Sequence, residues 1–330
     1  MALSAIPTQS AMADITVCAS GCAFSRIQDA ILVAADNEAI RIRPGIYPET
    51  LVIANQRVRL IGAGANLTII DAASVDSNSR VVDIGCVTEK RVVLDGLTVT
   101  GGHPVRGFGG GGIQNSGCRV AISNSLITGN FARGAAGISN GGRMTVSNTV
   151  VSNNGAFDLG GGGIDNSGTL DLTQSQIISN HASSGGGGID NGGTLTGRNV
   201  TVANNTARIG GGININTLSS GALVAFSVLN NEATQKGGGF YNVGALKLKD
   251  SLVMANESGT ATATPGFADG GGIYNGDVAS LQLVGTLVTR NTSNLAIGSG
   301  GGLFNDSGAL TLGAGTAIVS NQPDDCVGCP

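Results

Sequence analysis

The stretch GGGGIDNSGTLDLTQSQIISN at residues 160–180 returns almost unchanged as GGGGIDNGGTLTGRNVTVANN at residues 185–205. Each copy contains a glycine run, an Ile-x-Asn marker and a closing asparagine, and this pattern recurs from 109 to 321 with a period of about 25 residues. The marker asparagines are Asn115, Asn140, Asn166, Asn191, Asn242, Asn275 and Asn305. The closing asparagines are Asn130, Asn154, Asn180, Asn205, Asn231, Asn256, Asn291 and Asn321.

The segments between the markers are short apolar alternations, such as Leu170-x-Leu172, bounded by Gly, Asn and Ser. They indicate three short strands per unit, with no room for an amphipathic helix. We therefore predict an all-β fold, a right-handed parallel β-helix with three short strands per coil and about eleven coils. Because coils stack about 4.8 Å apart, the marker isoleucines should form an apolar column and the marker asparagines a hydrogen-bonded ladder.

The repetition makes the chain one domain, 14–330, rather than two. The predicted divisions are residues 1–13 as a signal-peptide remnant or tail, 14–38 as an N-terminal cap, 39–108 as irregular coils, 109–321 as regular repeats and 322–330 as a C-terminal tail.

The cap contains the segment SRIQDAILVAADN, residues 25–37, which predicts a short helix across the open first coil. Ser25 and Gln28 have capping-box spacing. The stripe formed by Ile27, Ile31, Leu32 and Ala35 is expected to face the core. Such a plug protects the apolar core and the unpaired strand edges at the end of a solenoid.

The composition limits the possible functions. Charged residues are 12% of the chain and the net charge is −4, which disfavours nucleic-acid binding because that requires a basic face. Hydrophobic residues are 41%, too many for a disordered chain. No apolar run reaches the roughly 18 residues of a membrane-spanning helix, so no such segment is expected.

The N-terminus and the cysteines both indicate export. Ala11-Met12-Ala13 has the form of a secretory cleavage site, and we expect a secreted or cell-surface bacterial protein. The six cysteines accompany only two histidines, which favours disulfides over a metal site. The expected pairs are Cys18–Cys22, Cys326–Cys329 and Cys86–Cys118.

Two families share features with this chain. The markers from 109 to 321 resemble the repeats of polymorphic outer membrane proteins and related bacterial surface β-helices. The segment FSRIQDAILVAADNEAIRIRPGIYPETLVI, residues 24–53, resembles the opening of the pectin-lyase-like superfamily, which includes pectin methylesterases. The resemblance implies the fold but no single activity, because the superfamily includes lyases, hydrolases, esterases, epimerases and proteins without known chemistry.

The catalytic signatures of that superfamily are missing from this chain. The Asp-Phe-Ile-Phe-Gly strand of the methylesterases has no match, and neither does the Gly-His-Gly of polygalacturonases. The one adjacent aspartate pair, Asp324-Asp325, lies in the last unit, and a Trp-containing lyase signature is impossible without Trp. No catalytic residue can therefore be assigned by resemblance.

The residue between Ile and Asn in each marker is expected to point to solvent. Down the repeats this column contains Gln114, Ser139, Asp165, Asp190, Asn214, Tyr241, Tyr274 and Phe304. Asp165 and Asp190 would lie one coil apart, where two carboxyls share a proton, bind Ca²⁺ or act as a catalytic pair. The alternative is two solvated aspartates on an ordinary surface.

Other polar and aromatic residues are weaker candidates for a site. Tyr241, Tyr274 and Phe304 would form an aromatic ladder for sugar binding or an ordinary cross-strand stack. His181 becomes a general base if it reaches an aspartate and is otherwise a solvated turn residue. Three turn cations could neutralise a uronate carboxylate or simply belong to the surface. They are Arg133, Arg208 and Lys236.

Three functions fit these features. The first is a secreted or cell-surface structural protein, an adhesin-like rod or filament subunit without catalytic activity. The second is a carbohydrate-active enzyme, a polysaccharide lyase or glycoside hydrolase acting on an acidic polysaccharide. The third is a calcium- or glycan-binding module. The sequence favours the first, with polysaccharides or other cell-surface molecules as partners, possible end-to-end self-association, and no cofactor other than Ca²⁺.

Overall fold

The computed structural model describes residues 15–75, 78–104, 109–260, 269–294 and 299–330. The predicted signal-peptide remnant, residues 1–13, lies outside them. The described chain winds into a right-handed parallel β-helix of about eleven coils, as predicted. Its strands form four parallel sheets, called A to D here, that run along the length of the helix.

The strands of sheet A, the sheet with the longest strands, are Ile15–Val17, Glu38–Ile42, Val58–Ile61, Arg91–Asp95, Arg119–Ser123, Arg143–Ser147, Thr169–Thr173, Thr194–Arg198, Ser220–Val224, Ala245–Lys249, Ser280–Val284 and Ala309–Leu312. The strands of sheet B are Gly45–Tyr47, Thr68–Asp71, Thr98–Thr100, Leu126–Thr128, Val150–Ser152, Gln176–Ile178, Thr201–Ala203, Ser227–Leu229, Leu252–Met254, Leu287–Thr289 and Ala317–Val319.

The strands of sheet C, which contains the Ile-x-Asn markers, are Leu51–Ala54, Val82–Gly85, Ile113–Ser116, Ile138–Asn140, Ile164–Asn166, Ile189–Asn191, Ile213–Ile215, Phe240–Asn242, Ile273–Asn275, Leu303–Asn305 and Cys326–Val327. The strands of sheet D are Phe131–Ala132, Gly155–Ala156, His181–Ala182, Thr206–Ala207, Glu232–Ala233, Glu257–Ser258 and Thr292–Ser293. Sheet D adds a fourth strand to the three predicted per coil, because two-residue strands are too short to show alternation.

A regular coil runs from sheet C through sheets A, B and D and returns through the glycine run. The returning turns pack tightly against the next coil. A Cβ atom on Gly162, for example, would collide with the backbone oxygens of His181 and Gly187. Gly160 in the same turn has φ +79°, which favours glycine. The glycine runs are therefore required by the spacing of the coils.

The core consists of stacked aliphatic columns, as predicted. The marker residues Ile113, Ile138, Ile164 and Ile189 are completely buried, and later coils continue the column with Ile213, Phe240, Ile273 and Leu303. Alanines line a small second core beneath sheet D. Burying this apolar surface is the main source of stability for such a fold.

Two asparagine ladders run along the interior. In the marker ladder, the amide of Asn115 donates to the Oδ1 of Asn140, and the bonds continue through Asn166 to Asn191 at 2.7–2.8 Å. Ile215 interrupts this ladder, which resumes from Asn242 through Asn275 to Asn305. The closing asparagines form a second ladder, which is unbroken from Asn130 to Asn321.

The N-terminal helix lies across the first coil, but two details of its prediction were wrong. It spans Ile27–Val33, and its N-cap residue, Arg26, makes no capping hydrogen bond with its own side chain. Instead of the Ser25–Gln28 capping box, the carboxylate of Glu49 accepts the backbone N–H groups of Ile27 and Gln28 at 2.8 and 3.0 Å. A partner 22 residues away in sequence cannot be seen in a local motif.

The buried face of this helix also differs from the prediction. Ile27, Ala30 and Ile31 face the core, whereas Leu32 is 74% exposed and Ala35 lies on the surface. The helix ends after two turns, so only its innermost residues contact the coils. No helix among the described residues is long and apolar enough to cross a membrane.

All three expected disulfides are present. Cys18–Cys22 and Cys326–Cys329 are local bridges near the two ends, and Cys86–Cys118 joins two consecutive coils. Their Cα–Cα distances of 5.5, 6.0 and 5.1 Å lie in the usual range for disulfides.

Candidate functional site

The middle residues of the markers form one column on the outer face of sheet C. Asp165 pairs in register with Ser139 on one side and with Asp190 on the other. Asn214 and Tyr241 follow on the next two coils, and Tyr274 and Phe304 on the two after those. The coils therefore bring the two aspartates together as expected.

This column is less exposed than the sequence suggested. The expectation that all its members face solvent was wrong, since Asn214 is only 3% exposed and Tyr274 only 5%. The glycine runs before each marker fold over this face of sheet C. A Cβ atom on Gly160 would lie 2.8 Å from the Oδ2 of Asp165, and one on Gly185 would lie 2.9 Å from the Nδ2 of Asn214. The outward side chains consequently lie in a partly desolvated trough.

Burial changes the protonation of both aspartates. It raises the pKa of Asp165 from 3.8 to about 6. The pKa of Asp190 rises to about 7, first through burial and then through the neighbouring charge of Asp165. Between about pH 6 and pH 7 the pair therefore holds about one proton, which gives one carboxylic acid beside one carboxylate.

Two amides fix the position of Asp190. The Nδ2 of Asn214 and the Nδ2 of Asn216 both donate to the Oδ1 of Asp190, at 2.9 and 2.7 Å. These bonds partly oppose the rise in the pKa of Asp190. Because Oδ1 already accepts two hydrogen bonds, the proton of the neutral acid belongs on Oδ2.

The carboxyl group of Asp165 faces an open depression of about 210 Å³. Its walls include Gln114, Ser139 and Leu159. The described residues provide no hydrogen bond to the Asp165 carboxyl, so it differs from the firmly held Asp190. One carboxyl is fixed by protein amides and the other is open to a ligand.

The aromatic residues form the stack expected from their spacing. The rings of Tyr241 and Tyr274 lie 5.0 Å apart and nearly parallel, and Tyr274 and Phe304 lie 5.8 Å apart in the same arrangement. Both faces of Tyr274 are therefore covered by neighbouring rings. A sugar would meet the ring edges, or the face of Tyr241 that points towards Asn214.

A polar cluster holds the centre of this stack. The hydroxyl of Tyr274 donates to the Oδ2 of Asp306 at 2.7 Å and accepts from the Nζ of Lys236 at 3.3 Å. Lys236 also pairs with Asp269 at 3.3 Å. Burial, followed by Asp306, raises the pKa of Tyr274 well above its usual range. Tyr274 is thus a fixed, neutral part of the wall.

The remaining predicted residues have partners of their own. His181 is exposed in sheet D, where its Nδ1 lies 2.8 Å from the Oγ1 of Thr206, and the described contacts include no hydrogen bond from it to either aspartate. Arg133 pairs with Asp158 at 2.7 Å. Within the described residues, Arg208 contacts Gln235 and has no carboxylate partner. Of the three predicted turn cations, Arg208 is therefore the one left without an ion pair to meet a ligand.

The same geometry bears on the predicted calcium site at Asp165 and Asp190. Across the described residues, no three His, Cys, Asp or Glu side chains come together in a way that could hold a metal ion. Both amides beside Asp190 present N–H groups to it, and these donors compete with a cation for the same oxygen. The donor set fits a proton better than Ca²⁺.

Similarity to known proteins is found in structure and not in sequence motifs. No protein-family profile and no curated protein matches the chain. It is similar in structure to the pectin methylesterase from carrot, with 12% identity, coverage of 92% of this chain and 90% of that one, and a TM-score of 0.45. It is also similar to a pectin methylesterase in complex with a hexasaccharide, with 14% identity, 94% and 92% coverage and a TM-score of 0.42.

The architecture is a right-handed parallel β-helix. This is the fold that the segment 24–53 and the marker repeats predicted. At these identities the likeness concerns the fold alone, and the chemistry of this β-helix has to be argued from its own side chains.

One functional residue of the β-helix was missed by sequence reasoning. Asn216, which holds Asp190, lies just after the marker of its coil. The signal is present as a departure from the pattern, because this coil reads Ile-Asn-Ile-Asn where the two coils before it read Ile-Asp-Asn. The shift places Ile215 at the ladder position and moves an amide to Asn216, beside Asp190.

Proposed function

We propose that this protein is a carbohydrate-active enzyme that cleaves glycosidic bonds in a polysaccharide, with Asp165 and Asp190 as its catalytic residues. The observation that carries the proposal is the partly buried carboxyl pair on adjacent coils, whose pKa values are both raised by burial, to about 6 and about 7. An acid beside a carboxylate is the combination that glycoside hydrolases use.

The two carboxyls have distinct roles in this proposal. Asp190, with the higher pKa and its Oδ1 held by two amides, donates the Oδ2 proton to the departing glycosidic oxygen. Asp165, which faces the open depression, stabilises or attacks the electron-poor sugar carbon. Neighbouring parallel strands lie about 4.8 Å apart, which is close to the roughly 5–5.5 Å between the carboxyls of retaining hydrolases.

The pair also argues against the purely structural role that the sequence favoured. Two carboxyls that are partly desolvated and adjacent disfavour each other's ionisation, so they destabilise the fold near neutral pH. A structural rod gains nothing from this arrangement, and a residue such as Asn or Thr in either position would avoid the cost. The presence of both carboxyls is better explained by chemistry.

The direct test is hydrolysis of a panel of neutral and acidic polysaccharides. Wild-type protein should release reducing ends, with the highest rate between the two pKa values of about 6 and about 7. Ultraviolet absorbance of unsaturated products distinguishes a lyase from a hydrolase. Asp190→Asn and Asp165→Asn should each lower the rate about a hundredfold or more.

A matched control is Asp171→Asn, which removes an exposed aspartate from sheet A and should leave the rate unchanged. Chelator in a parallel series tests the calcium alternative, because a Ca²⁺ site would make the melting temperature depend on the metal. Failure of wild type on the whole panel, or equal rates for Asp190→Asn and wild type, would reject the enzyme and restore the structural role.

A further inference from the structure

A column of arginines runs along the outer face of sheet A, at the end of each strand nearest sheet C. Arg91, Arg119 and Arg143 pair directly in register on three consecutive coils. Arg57 precedes Val58, which pairs with Val92, so Arg57 extends the column by one coil. We call these four residues the arginine ladder. Beyond Arg143 the column continues with Thr169 and loses its charge.

The charges of this ladder are poorly balanced. All four arginines are exposed. Arg57 lies 3.7 Å from Asp36, and Arg119 lies 4.0 Å from Glu89, the longest ion pair in this region. Within the described residues, Arg91 and Arg143 have no carboxylate partner. Like charges directly opposite each other in a sheet are destabilising, so the ladder lowers the stability of the fold and calls for another explanation.

The space beside the ladder is a shallow groove of about 680 Å³. Its floor contains small side chains, including Ala121 and Thr145, together with Val120. Aromatic residues are missing from its lining. Four arginines and one carboxylate, that of Glu89, line the groove, so it is basic, and it offers no aromatic side chain on which a ring can stack.

We propose that the arginine ladder binds a linear acidic polysaccharide lying along the helix axis. Guanidinium groups repeated once per coil match anionic groups repeated along a sugar chain, and each guanidinium can bind a carboxylate or sulfate through two hydrogen bonds. Single-stranded nucleic acid fits less well, because its binding sites combine cations with aromatic platforms. The net charge of −4 also opposes general nucleic-acid binding.

This site is independent of the aspartate pair, since it uses another sheet and other residues. The two are nevertheless close along the chain. Ser139, which borders the depression at Asp165, is followed by Arg143 after a single corner between sheets C and A. A bound polysaccharide on the ladder would thus lie beside the proposed active face without entering it.

The test is binding measured by calorimetry with four probes: polygalacturonate, dextran sulfate, neutral dextran and single-stranded DNA. Wild type should bind at least one charged polysaccharide, more weakly as salt increases, and should not bind dextran. The two charged probes distinguish carboxylate from sulfate recognition. The triple variant Arg91→Gln/Arg119→Gln/Arg143→Gln should bind about tenfold more weakly or worse.

The matched control removes three exposed cations from distant parts of the same sheet: Arg198→Gln/Lys247→Gln/Lys249→Gln. It changes the net charge equally and should keep wild-type affinity. The single variant Arg143→Gln, in which Arg91 and Arg119 are intact, should show an intermediate loss of affinity for the charged polysaccharide. Both triple variants should keep the wild-type melting temperature or exceed it, because the altered residues are exposed.

Three results would overturn the proposal. In the first, the wild-type protein binds neither charged polysaccharide at low salt. The two triple variants could lose affinity equally, which would mean general charge attraction. Single-stranded DNA could bind as tightly as the polysaccharides and through the same arginines, which would assign the ladder to nucleic acid. Loss of activity in Asp190→Asn has no bearing on any of these outcomes.

Discussion

The two asparagine ladders have similar chemistry but different continuity. The closing ladder links eight residues from Asn130 to Asn321 without a gap. The marker ladder links four residues, breaks at Ile215 and resumes at Asn242. The closing ladder serves only the fold, whereas the gap in the marker ladder lies next to Asp190.

The residues around Ile215 accommodate the gap in the marker ladder. Ile215 places an apolar side chain where an amide would otherwise lie, and it is fully buried. Gly221 makes room for it, since a Cβ atom there would lie 3.2 Å from the Cδ1 of Ile215. The residues that pair with Gly221 in neighbouring coils are Leu195 and Leu246. The packing around Ile215 thus allows Asn216 to lie beside Asp190 and donate a hydrogen bond to it.

The largest effect is expected in the unbroken ladder. Asn205→Ala removes bonds to the N–H and side-chain amide of Asn180, to the carbonyl of Ile177 and to Asn231. Buried groups left unpaired should lower the free energy of unfolding by about 3 kcal/mol. Chemical denaturation measures this, with the exposed Thr194→Ala as control. An unchanged unfolding free energy would show that the closing asparagines do not stabilise the helix.

A smaller effect is expected at the edge of the gap. Asn191 accepts from Asn166 and donates to two backbone carbonyls, but no further asparagine follows it in the marker ladder. Asn191→Ala should therefore lower the unfolding free energy by about 1–3 kcal/mol, and Asn166→Ala by at least as much. If Asn191→Ala lowered the unfolding free energy more than Asn205→Ala, the continuity of a ladder would not determine how much its asparagines stabilise the fold.

The third prediction concerns pH. Because the pKa values of Asp165 and Asp190 are raised above 3.8, the folded state holds more protons than the unfolded state between about pH 4 and pH 7. Wild-type stability should fall as the pH rises through this range. Asp190→Asn should flatten the fall and raise the melting temperature near neutral pH, as calorimetry at several pH values can measure. If the stability of Asp190→Asn fell as steeply with pH as that of the wild type, a raised pKa of Asp190 would be contradicted.

The smallest change in stability is expected for Asn216→Ala. Asn216 is partly exposed, and one of its main contacts is the bond to Asp190. Its removal should leave the melting temperature nearly unchanged while raising the pKa of Asp190, because that bond favours the charged form. A large loss of stability without a change in that pKa would make Asn216 a part of the scaffold only.

The sequence predicted the parts of the molecule that depend on repetition. The coils, the apolar column and the marker ladder follow from spacing, because identical environments recur once per coil. The disulfides were expected from six cysteines that accompany only two histidines. The parts that depend on single contacts between distant residues were missed. Glu49 caps the helix in place of Ser25. A glycine run lies against Asn214 and neighbouring rings cover Tyr274, although alternation alone would leave both exposed.

The central claim is that burial and adjacency raise the pKa values of Asp165 and Asp190, so that the pair shares about one proton between about pH 6 and pH 7, while the gap in the marker ladder supplies the amide of Asn216 that holds Asp190. The most direct measurement is an NMR titration of the carboxyl carbons of Asp165 and Asp190, assigned by comparison with Asp165→Asn and Asp190→Asn. The account predicts apparent pKa values of about 6 and about 7 in the wild type, with the value for Asp190 falling in Asp165→Asn. Titration of both carboxyls near pH 4 would show two ordinary solvated aspartates and contradict the account.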